Sequence, residues 1–418
     1  MPDPPGAAAP TAFEFGSTTA EALRIGHVLD APFTAEEANG VSQVVRCLAQ
    51  AQAGIGATVA VFSGVDGAHP VGHDDRTTKR ACGVPASTSR SLRQRLASRF
   101  LDPALAEEVL AWRPDILHFH SVHVVLNVAM ATRLLDGQIP YCVTVHGGLF
   151  PAALRRSRVK KTLFNLLFER RYLNGARFVH ALSPHEAGAI RRHGVSAPIL
   201  VVPNGVPPDT TPSPLRPDVR YRADTRLGDR LGFLFVGRLD PWQKGLDLLL
   251  EAFACAGLGS ARLVLAGPDS RNSRRGLERR ANRLGIRSQV MFTGPVFGGE
   301  MASLMAAADV FVHPSRWEGM SLAVLAAAAA GRACLLTRAA DLRGELERAH
   351  AAVVVQPAVS SIAAGLRRCA TAGAQELQLM GGRARLVAQQ HAAWPGIADT
   401  LMNAYRGALA QTTPSATK

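Results

Sequence analysis

Residues 309–331 read DVFVHPSRWEGMSLAVLAAAAAG, a strand–loop–helix unit that decides the fold. The run 310–313 is apolar on consecutive positions up to its His, as expected of a strand buried on both faces. Pro314 ends it, and a loop through Glu318 and Gly319 leads to a helix that opens near Ser321. Free backbone amides at such a helix start, with the positive end of the helix dipole, suit a phosphate or a sugar hydroxyl. Gly319 lets the chain approach that ligand closely. The plain alternative is an ordinary strand–loop–helix with a solvated Glu.

Upstream, residues 235–245 (FVGRLDPWQKG) repeat the design. A strand ends in a Gly237-bearing loop with Arg238 and Lys244, ahead of a helix over 246–253. Arg offers a planar fork to phosphate oxygens and Lys a point charge. Together they suit a diphosphate, although a solvated basic loop has the same composition.

Further outward, short apolar runs recur at 25–29, 58–62, 116–119, 141–145, 178–182 and 199–202. They return at 233–236, 263–266, 290–293, 310–313, 333–337 and 352–355, with helix-like spacing between them. Alternating strand and helix predicts two α/β domains, each a doubly wound parallel sheet of Rossmann-like type. The Pro-rich residues 207–226 read as a linker. The expected division is a disordered lead at 1–20, an N-terminal domain at 21–206, and a C-terminal domain at 227–392. A helix over 393–410 closes the chain before a tail at 411–418. Ligands of such sheets bind beyond the carboxyl ends of the strands, so the expected site is the cleft between the domains.

The chain has 418 residues, 47% hydrophobic and 19% charged, enough for a sizeable core. Its net charge of +14 favours anionic partners. No nucleic-acid module is recognisable, and 6% aromatic residues is thin for base stacking. The six cysteines lack C-x-x-C spacing, which argues against a zinc site or disulfide framework and for a reducing compartment. No Asp-x-Asp stands at a strand end. His118, His120 and His123 could group around a metal, but acids near them are lacking, so they read as core or cleft-lining side chains, and His313 as structural. No stretch has the length of a spanning helix. Residues 154–173 place Val159, Leu163, Leu166 and Leu167 at helical spacing beside Arg155, Arg156, Arg158, Lys160 and Lys161. That pattern reads as a docking face for anionic lipid, or as a core-facing helix with a solvated basic side.

The G-R-x-x-x-x-K-G loop and the downstream S-x-x-E-G-x-x-L turn together resemble the family-four retaining glycosyltransferases of the GT-B architecture. Asn39-Gly40-Val41, Asp115-Ile116-Leu117-His118, Thr144-Val145-His146-Gly147, Val202-Pro203-Asn204-Gly205-Val206 and Phe292-Thr293-Gly294 extend the resemblance over about residues 22–410. It implies metal-independent transfer of a hexose from a GDP- or UDP-linked donor, with no resident cofactor and with the anomeric configuration kept. The acceptor, bound by the domain at 21–206 opposite a nucleotide-sugar domain at 227–392, would be a lipid-linked or oligosaccharide chain in bacterial polysaccharide synthesis. The enzyme would be cytoplasmic and peripheral at the inner face of the membrane.

By the same resemblance, Arg238 and Lys244 hold the diphosphate and Glu318 contacts the transferred sugar as the first acid of an E-x7-E motif. Gly319, Met320, Ser321 and Leu322 grip diphosphate and sugar through their backbone. His146 reaches the sugar, Gly40 and Gly237 admit the phosphates, and Gly294, Pro295 and Val296 lie near the base. One departure stands out, because Ala326 occupies the place of the second Glu, which holds the ribose in the family. Three readings stay open: a Glu→Ala change made to inactivate the enzyme, a natural degenerate site, or an enzyme that holds ribose otherwise. The rival functions are a nucleotide-sugar epimerase and a non-catalytic nucleotide-sugar-binding protein.

Overall fold

The computed structural model describes residues 22–33, 39–65, 67–71, 103–135, 139–155, 158–207, 230–270, 272–391 and 393–410. The expected lead and tail, and nearly all of the expected linker, lie outside them.

The first sheet comprises β1 (Arg24–Leu29), β2 (Thr58–Ser63), β3 (Gly67–Val71), β4 (Ile116–His120), β5 (Tyr141–Thr144), β6 (Val179–Ala181) and β7 (Ile199–Val201). Their order across the sheet is β3-β2-β1-β4-β5-β6-β7. The second comprises β8 (Gly232–Val236), β9 (Arg262–Ala266), β10 (Val290–Gly294), β11 (Val310–His313), β12 (Ala333–Thr337) and β13 (Ala352–Val355), in the order β10-β9-β8-β11-β12-β13. The continuous apolar runs are the reason for this layout. β4 and β8 are buried along their whole length, which requires helices on both faces and hence parallel crossovers. The sheets are therefore parallel as expected, with one correction. β3, which the sequence pattern does not show, pairs antiparallel with β2 at the edge of the first sheet.

Each sheet reverses direction at one point, between β1 and β4 in the first and between β8 and β11 in the second. Crevices open at such switch points beyond the strand ends. Leu29, Asp30, His120 and Ser121 from the first and Val236, Gly237 and His313 from the second line one common cavity of about 450 Å³.

The helix Trp394–Ala410 returns to the first sheet and packs against the helix Gly40–Gly54. Trp394, Ile397, Leu401 and Tyr405 recur every three or four residues and are buried together. Burying each such side chain contributes about 1.5–3 kcal/mol. Gly205 lies so close under Trp394 that a Cβ there would meet the indole at 2.9 Å. One apolar cluster consequently runs from β1 through this helix into the second sheet. No helix among the described residues is long and apolar enough to cross a membrane.

Candidate functional site

The loops after β8 and β11 form one wall of the cleft. Gly245 adopts φ +67 at the start of the helix Leu246–Ala256, and a side chain there would collide with the Pro314 carbonyl, so only glycine lets the two loops touch. Arg316 fastens the contact from the other side. It donates twice to the Asp247 carboxylate, at 2.8 Å each, and lies over the Trp242 ring at 4.5 Å. This packing presents Lys244 to Glu318.

Lys244 Nζ donates to Glu318 Oε1 at 2.6 Å. Ser315 Oγ and His313 Nε2 donate to the same oxygen at 2.5 and 3.0 Å. Burial opposes the Glu318 charge, but the Lys244 ammonium and the His313 hydrogen bond overcome it and hold the carboxyl well below the usual range. Burial likewise keeps His313 below its ordinary value, hence neutral, against the pull of its Glu318 bond. His313, read from sequence as structural, lines the cavity and is bonded to Glu318. With Oε1 holding three donors, Glu318 Oε2 is the oxygen left for a ligand.

Arg238 is half exposed at the cleft, steadied by Gln243 Oε1 at 2.8 Å and facing Asp240 at 3.9 Å. Ser321 starts the helix Leu322–Ala329 without a side-chain cap, so the first-turn amides stay unsatisfied beside the cavity. Gly40, His146, Gly237, Arg238, Lys244, Val296, Glu318, Gly319, Met320, Ser321, Leu322 and Ala326 all line it. Gly294 and Pro295 adjoin Val296 just outside this lining. Gly294 gives its carbonyl to the Gly267 amide at 2.7 Å, and Pro295 points to solvent. Phe297 and Met301 line the cavity beside Val296. Ala326 is buried on the cavity wall, with no carboxylate at that position.

The opposite wall comes from the first sheet. Asn39 Oδ1 accepts from the Val41 and Ser42 amides at 2.9 and 3.0 Å, capping the helix Gly40–Gly54. A Cβ on Gly40 would meet no protein atom within 4 Å, since that position faces the open cavity. His146 and Gly147 turn through φ 51 and 76 after β5. Gly147 then touches the other wall, where a Cβ would lie 2.8 Å from the Gly319 amide nitrogen. Asn204 Nδ2 donates across the same seam to the Met320 carbonyl at 3.2 Å.

Sequence reasoning missed the residue that holds this turn. Glu186 is buried, and its carboxylate accepts from the Gly147 amide and, at 2.6 Å, from the Leu182 amide. Burial raises its pKa above the ordinary value, partly offset by those two amides. The signal was present in Ser183-Pro-His-Glu186, which has capping-box spacing. Ser183 does cap the Glu186 amide at 3.1 Å, but the glutamate reaches outward to the His146–Gly147 turn.

The basic segment folds as the helices Pro151–Arg155 and Arg158–Phe164, a π-helical turn at Asn165–Glu169 and the helix Arg170–Asn174. Val159 is 81% exposed, and Leu163, Leu166, Leu167 and Phe168 are about half exposed or more. The apolar stripe thus faces outward, against the reading of a core-facing helix. Arg155, Arg158 and Lys160 are exposed beside it, while Lys161 donates to the Ala153 carbonyl at 2.7 Å. Arg156 lies outside the described residues.

Residues 38–210 match the family model for Glycosyltransferase Family 4, and residues 230–372 the model for Glycosyl transferases group 1. A D-inositol 3-phosphate glycosyltransferase of Mycobacterium bovis is 32% identical over 243 residues, 53% of this chain and 46% of that one. The chain spans about half the length of the curated relatives it matches. Among solved structures, sucrose-phosphate synthase from Thermosynechococcus elongatus superposes with a TM-score of 0.74 at 20% identity, covering 93% of this chain and 100% of that one. Anabaena HepE, solved with UDP-glucose, superposes at 0.69 with 18% identity, over 92% and 100%. The two-sheet fold is therefore the GT-B architecture, and with both halves matched the chain belongs to the family-four glycosyltransferases.

Proposed function

We propose that this protein transfers a hexose from a nucleoside diphosphate sugar to a hydroxyl of a glycan acceptor, with retention and without a metal. The observation that carries the reading is the convergence of Arg238, Lys244 and the uncapped first turn at Ser321 on one cavity. These groups are set for a diphosphate, and the HepE and trehalose-6-phosphate neighbours were solved with UDP-glucose and UDP-2-fluoro glucose.

In this mechanism the bond from the anomeric carbon to the diphosphate breaks as a bond to the acceptor oxygen forms on the same face. The acceptor proton passes to the departing phosphate oxygen. Lys244 and Arg238 neutralise the charge that grows on that leaving group, Lys244 from a largely buried position where a charge acts strongly. Glu318 Oε2 accepts from a sugar hydroxyl, and His146 meets the sugar from the opposite wall. Calorimetric titration of the protein with UDP, GDP and their hexose conjugates tests this. Saturable binding that is lost in Lys244→Ala supports the reading, and no binding to any of them refutes it.

The same reading places the acceptor on a lipid carrier at the inner face of the cell membrane, as in polysaccharide synthesis. Five exposed apolar side chains beside Arg155, Arg158 and Lys160 support it, because such a face binds anionic headgroups and acyl chains together. Co-sedimentation with anionic vesicles at low salt, weakened in Leu166→Asp/Leu167→Asp, is the expected result; no sedimentation rejects it. Ala326 favours a second reading, a nucleotide-sugar-binding protein without turnover. Donor binding without product, even in Ala326→Glu, would establish it.

A further inference from the structure

Behind His146 lies a chain of buried polar groups that the reaction above does not use. It starts at a group that can only accept, the Val202 carbonyl, to which His180 Nε2 donates at 2.8 Å. Burial holds His180 at about 4, so it is neutral and its Nδ1 is bare. That nitrogen accepts from the Thr144 hydroxyl at 2.8 Å. Having given away its one proton, Thr144 accepts from His118 Nε2 at 2.5 Å. His118, also neutral through burial, then takes the Tyr405 proton on Nδ1 at 2.7 Å. Tyr405 is left as an acceptor, and the Gln52 side chain turns its NH2 toward it at 3.3 Å.

That orientation points Gln52 Oε1 at His27 Nε2, 2.7 Å away, so His27 carries its proton there. His27 Nδ1 accepts from His120 Nε2 at 3.0 Å, and His120 Nδ1 accepts from His146 Nε2 at 3.1 Å. Every proton on the path now has one place, and His146 is left with a bare Nδ1. The ring nitrogens of His27, His118 and His120 lie within 4.8 Å of one another, but each already has a hydrogen-bond partner, so a metal ion would have to break this path.

We propose that Tyr405 and Gln52 are positioning residues that lock His146 as a hydrogen-bond acceptor, so that the site selects a sugar bearing a free hydroxyl opposite Nδ1. This rests on the nucleotide-sugar reading above for its ligand, but not for the proton order itself. The switch in the path is the Gln52 amide. Without the Tyr405 oxygen it can rotate, donate to His27 Nε2, and reverse His27, His120 and His146 together. Tyr405 comes from the returning helix Trp394–Ala410, so the seating of that helix sets the chemistry of a residue at the cleft.

Ring-nitrogen NMR of the histidine-labelled full chain reads the tautomers directly. The wild type should show His146 protonated on Nε2 and bare on Nδ1. Tyr405→Phe should populate the opposite form at His27, His120 and His146, and Tyr405→Phe/Gln52→Glu should restore the first, because a carboxylate cannot donate. In turnover, Tyr405→Phe should lower kcat/KM for the intact donor about threefold to tenfold. It should have no effect on the one monodeoxy donor that lacks the hydroxyl facing His146. If Tyr405→Phe does not fold, the wild-type spectrum and Gln52→Leu, expected to mix the two forms, decide the matter. His146 protonated on Nδ1 in the wild type, or a folded Tyr405→Phe protein with unchanged ring-nitrogen shifts, overturns the proposal. Because the spectra need no substrate, they test the proton order independently of sugar transfer.

Discussion

Lys244 Nζ lies 2.6 Å from Glu318 Oε1, joining residues 74 positions apart in the chain into one buried ion pair at the floor of the cleft. In the reaction proposed above, the pair ties the cation assigned to the diphosphate to the acid assigned to the sugar. Lys244→Ala should cost activity roughly a hundredfold to a thousandfold in kcat. It should also lower stability by roughly 3 kcal/mol, since Glu318 would keep its burial and lose its counter-charge. Turnover assays and urea unfolding check the two losses separately.

The same pair gives a pH dependence. The folded-state pKa of Glu318 is depressed, so its contribution is fully present above the ordinary carboxyl value of 4.5 and is lost as pH falls below it. Glu169 works in the opposite sense. Burial raises it from 4.5 to about 8, partly offset by the His123 amide, so the folded chain holds a proton there that the unfolded chain releases. Its contribution is full below the unfolded value and falls away as pH rises toward 8. Glu169→Gln should therefore flatten the decline in melting temperature between pH 5 and 8 and, at pH 8, stabilise the protein by on the order of 1 kcal/mol or more. Thermal melts across that range test it; an unchanged slope contradicts it.

Gly147 and Gly319 meet across the cleft at a distance that admits no side chain. A methyl on Gly319 would lie 3.1 Å from the Gly147 amide and from the His146 carbonyl carbon, so the two loops must part by a few tenths of an ångström. Gly319→Ala should weaken nucleotide-sugar binding about tenfold, with little change in urea midpoint because each sheet keeps its own core. Calorimetry beside an unfolding curve separates the two effects.

Ala326 stands where the sequence pattern calls for a carboxylate. Two hydrogen bonds to a charged group contribute roughly 1.5–3 kcal/mol each. Ala326→Glu should thus tighten binding of a ribonucleotide diphosphate by a hundredfold or more, while a 2′,3′-dideoxy analogue gains nothing. Equal affinities for the two proteins would count against a ribose site at this position.

The amino-acid order alone determined the class of fold. Twelve of the strands lie on the short, mostly apolar runs, and burial of the central ones on both faces leaves a parallel sheet between helices as their outcome. The motif residues around Arg238, Lys244 and Glu318 were equally legible, because each cluster is local and sits where a strand gives way to a helix. Tertiary structure decided what no local pattern holds. It added β3 antiparallel at an edge and turned the stripe from Val159 to Phe168 outward. It also brought Gln52 and Tyr405 together, 353 residues apart, and set Glu186 under Gly147. The reason is physical: periodicity reports which face of an element is buried, whereas the partner of a buried polar group depends on which distant segment packs there.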